Sequence, residues 1–127
     1  MPFEPTQILS VVVAEDEPLT RFMAVDLLTE AGFAVIETGH AAEALAVLEA
    51  QAAQIHVLFT DIHMPGAMNG LQLAHYASTH WPWIALLIAS GDLEPSEADL
   101  PPGSRFLRKP YEPDHVIAHA RDLTAAK

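Results

Sequence analysis

Three short apolar runs do most to limit what this chain can fold into: residues 8–14 (ILSVVVA), 55–60 (IHVLFT) and 84–89 (IALLIA). They show little period-two alternation, as expected of strands buried on both faces of a parallel sheet. Between them the apolar period becomes helical. Pro18 suits a first helical position, Leu19, Phe22, Met23 and Leu27 recur at helical spacing, and Gly32 is placed to end that helix. Residues 33–37 read as a second strand, and Ala41, Leu45, Leu48 and Ala52 mark one face of a second helix. A third helix is predicted over residues 70–79, ended by Trp81, Pro82 and Trp83. From residue 93 to 104 the pattern weakens, because Pro95, Pro101, Pro102 and Gly103 leave room for one or two turns, and a short fourth helix is expected near 96–100. Residues 105–108 read as a fifth strand, and Asp114 is expected to cap a last helix bearing Val116, Ile117, Ala120 and Leu123. Five strands alternating with five helices predict an α/β fold with a doubly wound parallel sheet and right-handed crossovers. With 127 residues and no repeat or linker, one domain over residues 1–127 is expected.

Composition excludes several classes of function. Half the residues are hydrophobic, enough for a packed core. The lack of cysteine removes disulfides, thiolate metal sites and a cysteine nucleophile. Seventeen acidic residues against six basic ones give a net charge of −11, which argues against direct binding to nucleic acid or anionic lipid. No apolar run approaches the ~18 residues of a membrane span, and the first residues lack the basic start of a secretion signal, so a cytoplasmic location is expected.

In this arrangement the carboxyl ends of strands one, three, four and five share one edge of the sheet, the edge where open α/β folds bind ligands. They carry Glu15 with Asp16, then Asp61, then Ser90 followed by Gly91 and Asp92, and Lys109. Asp61 begins a loop broken by Pro65 and Gly66 and closed by Asn69 and Gly70. Several carboxylates so close together cannot all stay ionised without a compensating cation, since like charges raise one another's pKa. Mg2+, which prefers oxygen ligands and is commonly held by one or two carboxylates plus a phosphate, suits the set. Ser90 offers a hydroxyl donor and Lys109 a mobile positive charge, both fitted to phosphoryl oxygens. The combination describes phosphoryl transfer to an aspartate.

With VVVAEDE, LFTDIHMPG, IASG and FLRKPY in this order, the chain resembles the receiver domains of two-component response regulators over essentially its whole length. Intervals of 45, 29 and 19 residues separate Asp16, Asp61, Ser90 and Lys109 in turn. The resemblance implies a flavodoxin-like (βα)5 sandwich with a five-stranded sheet in order 2-1-3-4-5 and a signalling domain rather than an enzyme in the ordinary sense. It implies phosphorylation of Asp61 by a sensor histidine kinase or a phosphotransfer protein. It further implies Mg2+ bound by Asp16, Asp61 and the backbone carbonyl of His63, with Glu15 acting through water. Ser90 and Lys109 would hold the phosphoryl group, and the Lys109 to Pro110 bond would be cis. Phe106 stands where the family has its switch aromatic, paired with Ser90; a plain core phenylalanine fits the position equally well. The interval before Lys109 is short for the family, which reduces the fourth helix and the surface through which many receivers dimerise, so a monomer or weak dimer is expected. Nothing after Lys127 reads as an effector, so output is expected through protein contact, by this domain alone or within a larger protein such as a hybrid kinase.

Other readings fit less of the chain. Asp61, His63 and Gly66 match the D-x-H-x-x-G pattern of cobalamin-binding domains, but after the third strand rather than the first and with no Gly-Gly pair elsewhere. A haloacid-dehalogenase-like phosphatase needs a second acid where His63 stands. A pseudo-receiver that binds partners without phosphorylation remains the main alternative, although every site position carries a competent residue. The histidines are scattered; His115 and His119 have helical spacing and read as a solvated face, and Trp81 with Trp83 reads as packing beneath a loop.

Overall fold

A computed structural model of the chain describes residues 7–91 and 95–125. Five strands, β1 (Ser10–Ala14), β2 (Ala34–Thr38), β3 (Val57–Asp61), β4 (Ala85–Ser90) and β5 (Arg105–Arg108), alternate with helices. The helices are α1 (Pro18–Glu30), α2 (Ala41–Gln51), α3 (Gly70–His80) and α4 (Pro113–Ala125). The strands form one parallel sheet in the order β2-β1-β3-β4-β5. This is the flavodoxin-like order implied by the family resemblance.

Every residue of β3 and β4 is buried, which is why those two runs lack alternation. Val12, Leu58, Leu86 and Ile88 point to one face and meet Ala44 and Leu48 of α2 and Leu73, Ala74 and Ala77 of α3. Val11, Val13, Val57, Phe59, Ala85 and Leu87 point to the other, against Ala24 and Leu28 of α1 and Val116, Ala120 and Leu123 of α4. β2 and β5, at the two edges, are only partly buried.

Three local expectations are corrected. The fourth helix predicted near residues 96–100 is a single 3-10 turn, Glu97–Asp99, because the prolines and Gly103 around it deny the amides and torsions that further turns need. Among the described residues there are therefore four α-helices; Leu100 packs against the core there and Pro101 is buried. On α1, of the four apolar positions read from the sequence only Leu27 packs, half-buried, against the core; Leu19, Phe22 and Met23 are 66%, 65% and 56% exposed, and Ala24 and Leu28 are buried. Asp114 lies inside the first turn of α4 rather than at its cap, since the Glu112 carbonyl accepts the amides of His115 and Val116.

The end of α1 and the packing of Trp81 match the sequence reading, while Trp83 and His119 depart from it. Gly32, with φ of +100°, follows α1 in the left-handed conformation that ends helices. Asn69 and Gln72 form a reciprocal capping box at the start of α3, at 2.8 Å each way. Trp81 packs against the α2 and α3 side of the core, while the exposed indole of Trp83 donates to the Ala52 carbonyl at 3.0 Å. His115 is exposed, and His119 accepts from the Arg105 guanidinium at 2.9 Å. Asp92 and Leu93 lie outside the described residues.

Candidate functional site

The parallel register sets the site. Ala14 pairs with Thr60, and Asp61 with Ala89, so adjacent strands end level with one another. The polar residues at the strand ends are thereby delivered to the same rim: Glu15 and Asp16 after β1, Asp61 at the end of β3, Ser90 at the end of β4 and Lys109 after β5. The ladder continues past the strands, with the Ile62 amide bonded to the Ala89 carbonyl and the Lys109 amide to the Ser90 carbonyl, both at 3.0 Å. The Lys109–Pro110 peptide bond is cis.

Gly70 fixes the Asp61 loop from beneath. Its amide donates to the Ile62 carbonyl at 2.9 Å, and a Cβ at this position would overlap the Asp61 carbonyl. The Thr60 hydroxyl bonds that same carbonyl at 2.9 Å. The loop backbone is therefore pinned where only glycine leaves room for the helix to begin.

Glu15, Asp16 and Asp61 each place a carboxylate oxygen within 4.8 Å of the others. Glu15 and Asp61 are 4% and 7% exposed, backed by Val13, Phe59, Ala89 and Tyr111, whereas Asp16 is open to solvent. Lys109 joins the cluster, its Nζ 2.6 Å from Glu15 Oε1 and 3.3 Å from Asp61 Oδ1. Burial pushes both buried carboxyls above their ordinary values, against the opposing pull of Lys109. For Lys109 itself burial acts to lower the pKa, but the bond to Glu15 and the charges of Asp61 and Glu15 outweigh it and raise the value. One ammonium thus sits beside two buried carboxyls whose surroundings disfavour their charge, with the exposed Asp16 carboxylate next to them. A cation is the natural complement. The donors are all carboxylate oxygens, with no thiolate or imidazole in the cluster, and so fit a hard divalent ion.

Ser90 is buried at the end of β4, on the strand next to Asp61. His63 is exposed and lines, with Asp16, Met64, Asn69 and Gln72, a cleft of about 510 Å³ at the mouth of the site. Phe106 lies two strands from Asp61, opposite Ile88, half-buried against the α2 and α3 side of the core. Sequence reasoning passed over Arg21, Thr38 and Thr60. Arg21 is one of only six basic residues and stands five positions after Asp16, but no side-chain motif singles it out.

Residues 11–121 match the family described as the response regulator receiver domain. A putative two-component response regulator of Arabidopsis thaliana, ARR21, is 30% identical over 106 residues, which are 83% of this chain and 17% of that protein. The sensor kinase CckA of Brucella abortus is 30% identical over 117 residues, 90% of this chain and 12% of that protein. The chain therefore spans a minor part of the length of these relatives. The crystal structure of a response regulator receiver protein from Sinorhizobium medicae superposes with a TM-score of 0.87 at 28% identity, covering 94% of this chain and 97% of that one.

Proposed function

The chain belongs to the response regulator receiver domain family, and from that premise we propose that it is a phosphoacceptor in two-component signalling, with Asp61 taking a phosphoryl group from a histidine kinase or a phosphotransfer protein. The observation that carries this reading is the placement of Lys109, 3.3 Å from Asp61 and 2.6 Å from Glu15, over three converging carboxylates. Such an arrangement holds a nucleophilic carboxylate beside a cation able to follow the incoming charge.

Asp61 Oδ attacks the phosphorus as the bond from phosphorus to the donor's imidazole nitrogen breaks, and the nitrogen leaves with the bonding pair. The burial that raises the Asp61 pKa leaves the carboxylate poorly solvated, so little water need be stripped from it before attack. Lys109 turns from the carboxylates to a phosphoryl oxygen, and the Ser90 hydroxyl donates to another. Asp16, Asp61 and Glu15, with the His63 carbonyl, would hold Mg2+, and a cation there would supply charge to offset that of the phosphoryl oxygens. The result is signalled through contact with another protein. Among the described residues no helix is long and apolar enough to cross a membrane.

A small phosphodonor with Mg2+ should label the wild-type protein and leave Asp61→Asn unlabelled, and EDTA should abolish the reaction. Labelling of the Asn variant would overturn the assignment of Asp61, and labelling in EDTA would overturn that of Glu15 and Asp16 as a metal-binding pair.

A further inference from the structure

We infer that Arg21 is a positioning residue for the cation-binding loop: it holds the Glu15–Asp16 peptide so that the Asp16 carboxylate stays within reach of those of Glu15 and Asp61. The inference rests on the cation site proposed above. From the first turns of α1 the guanidinium reaches back, and its Nη1 donates to the Glu15 carbonyl at 2.9 Å. That oxygen belongs to the peptide unit whose nitrogen is Asp16's, so fixing it fixes how Asp16 leaves the chain. The peptide on the other side of Glu15 is also tied, since the Glu15 amide donates to the Thr38 carbonyl at 3.1 Å, and the Thr38 hydroxyl bonds the Val13 carbonyl at 2.8 Å. Glu15 is further held through its side chain, by Lys109 and by the Glu17 amide at 3.1 Å. Asp16 is exposed, and its direction depends on its backbone.

Two features suit arginine to this place. The Arg21 Nε lies 3.8 Å from a Glu37 carboxylate oxygen on β2, so one planar group ties α1 and β2 to the loop that joins β1 to α1. Gly39 leaves the space: a Cβ there would stand 3.2 Å from Nη1.

The sign of the effect separates positioning from charge. A guanidinium near a cation site repels the cation, so if Arg21 acted through its charge, removing it would tighten Mg2+ binding. Positioning predicts the reverse. Outer-shell partners of metal ligands are commonly worth 10–100-fold in affinity, and the lower end suits a partly exposed arginine. In a Mg2+ titration followed by the amide NMR signals of residues 15–17 and 61–63, without any phosphodonor, Arg21→Ala should raise the midpoint about tenfold. Arg21→Lys should recover part of the loss, and Glu37→Gln, which leaves the bond to Glu15 in place, should stay near wild type. Gly39→Ala, which crowds the guanidinium without removing it, should shift the midpoint in the same direction and serves if Arg21→Ala fails to fold. An unchanged or lowered midpoint in Arg21→Ala, or in Gly39→Ala where that variant stands in, overturns the positioning role alone. A wild-type protein with no Mg2+ response overturns the cation site and this role together.

Discussion

Asp61 and Glu15 pay for reactivity with stability. Each has its pKa raised by burial, so its ionised form is disfavoured in the folded chain. A group whose folded pKa lies above its unfolded value stabilises the fold at low pH, and that contribution is lost as pH rises through the folded pKa. At neutral pH both carboxylates are therefore a burden that Lys109 only partly offsets. Replacing Asp61 by Asn removes one of them, so without divalent cation Asp61→Asn should melt above wild type at pH 7. The gap should narrow as pH falls through the folded pKa towards the ordinary 3.8 of an aspartate. Thermal melts in EDTA across that range check the sign, and a variant that melts lower at pH 7 would mean that the ion pair with Lys109 outweighs burial. These residues were legible because carboxylates, a hydroxyl and a lysine at strand ends stand out against apolar runs. Arg21 was not, because its contact is to a backbone carbonyl, which no side-chain pattern records.

At the scale of elements, α1 is the least conventional. It buries the small Ala24 and Leu28 against the sheet and α4, and turns Leu19, Phe22 and Met23 to water. Apolar periodicity pointed to the second set, since a 3.6-residue repeat marks a face without saying which neighbour covers it. Exposed apolar residues at adjoining positions of one helix are candidates for contact with a protein partner. The helix begins directly after the Glu15–Asp16 loop, so this face is where contact with a protein delivering a phosphoryl group to Asp61 would be expected. Phe22→Glu should leave thermal stability within about 0.5 kcal/mol, as for exposed positions generally. It should also leave labelling by a small phosphodonor unchanged. Transfer from a phosphohistidine protein should slow about tenfold, the effect of losing one interface anchor of ~1.4 kcal/mol. Equal slowing with both donors would place the defect in the site instead of the surface.

Across the whole molecule, strand pairing connects Asp61 to the β5 edge of the sheet. Asp61 pairs with Ala89, next to Ser90, and β4 carries β5, on which Phe106 faces Ile88. A phosphoryl group on Asp61 would itself carry about −1.5 to −2 charges beside Ser90, in place of the single charge of the free carboxylate. If Ser90 moves towards them, Phe106 can follow. Because Phe106 is already half-buried, the gain from covering it further is below the ~1.5–3 kcal/mol of a full transfer, which makes a graded shift of populations the expected response. Beryllofluoride, standing in for the phosphoryl group on Asp61, should perturb amide NMR signals over residues 95–107, and Phe106→Ala should weaken that response. Changes confined to the residues around Asp61 would leave the domain a phosphoryl acceptor without this coupling. The sequence by itself determined the class of fold, the five strands and the residues at their ends, because continuous apolar runs and helical spacing are local consequences of burial on two faces. Strand order came only through resemblance to known receivers, as the pattern within a strand does not record its neighbours. Which side of α1 is buried and the tie between Arg21 and the Glu15 carbonyl were decided by tertiary structure alone. Each depends on what residues distant in the chain leave uncovered or within reach, and no local spacing carries that information.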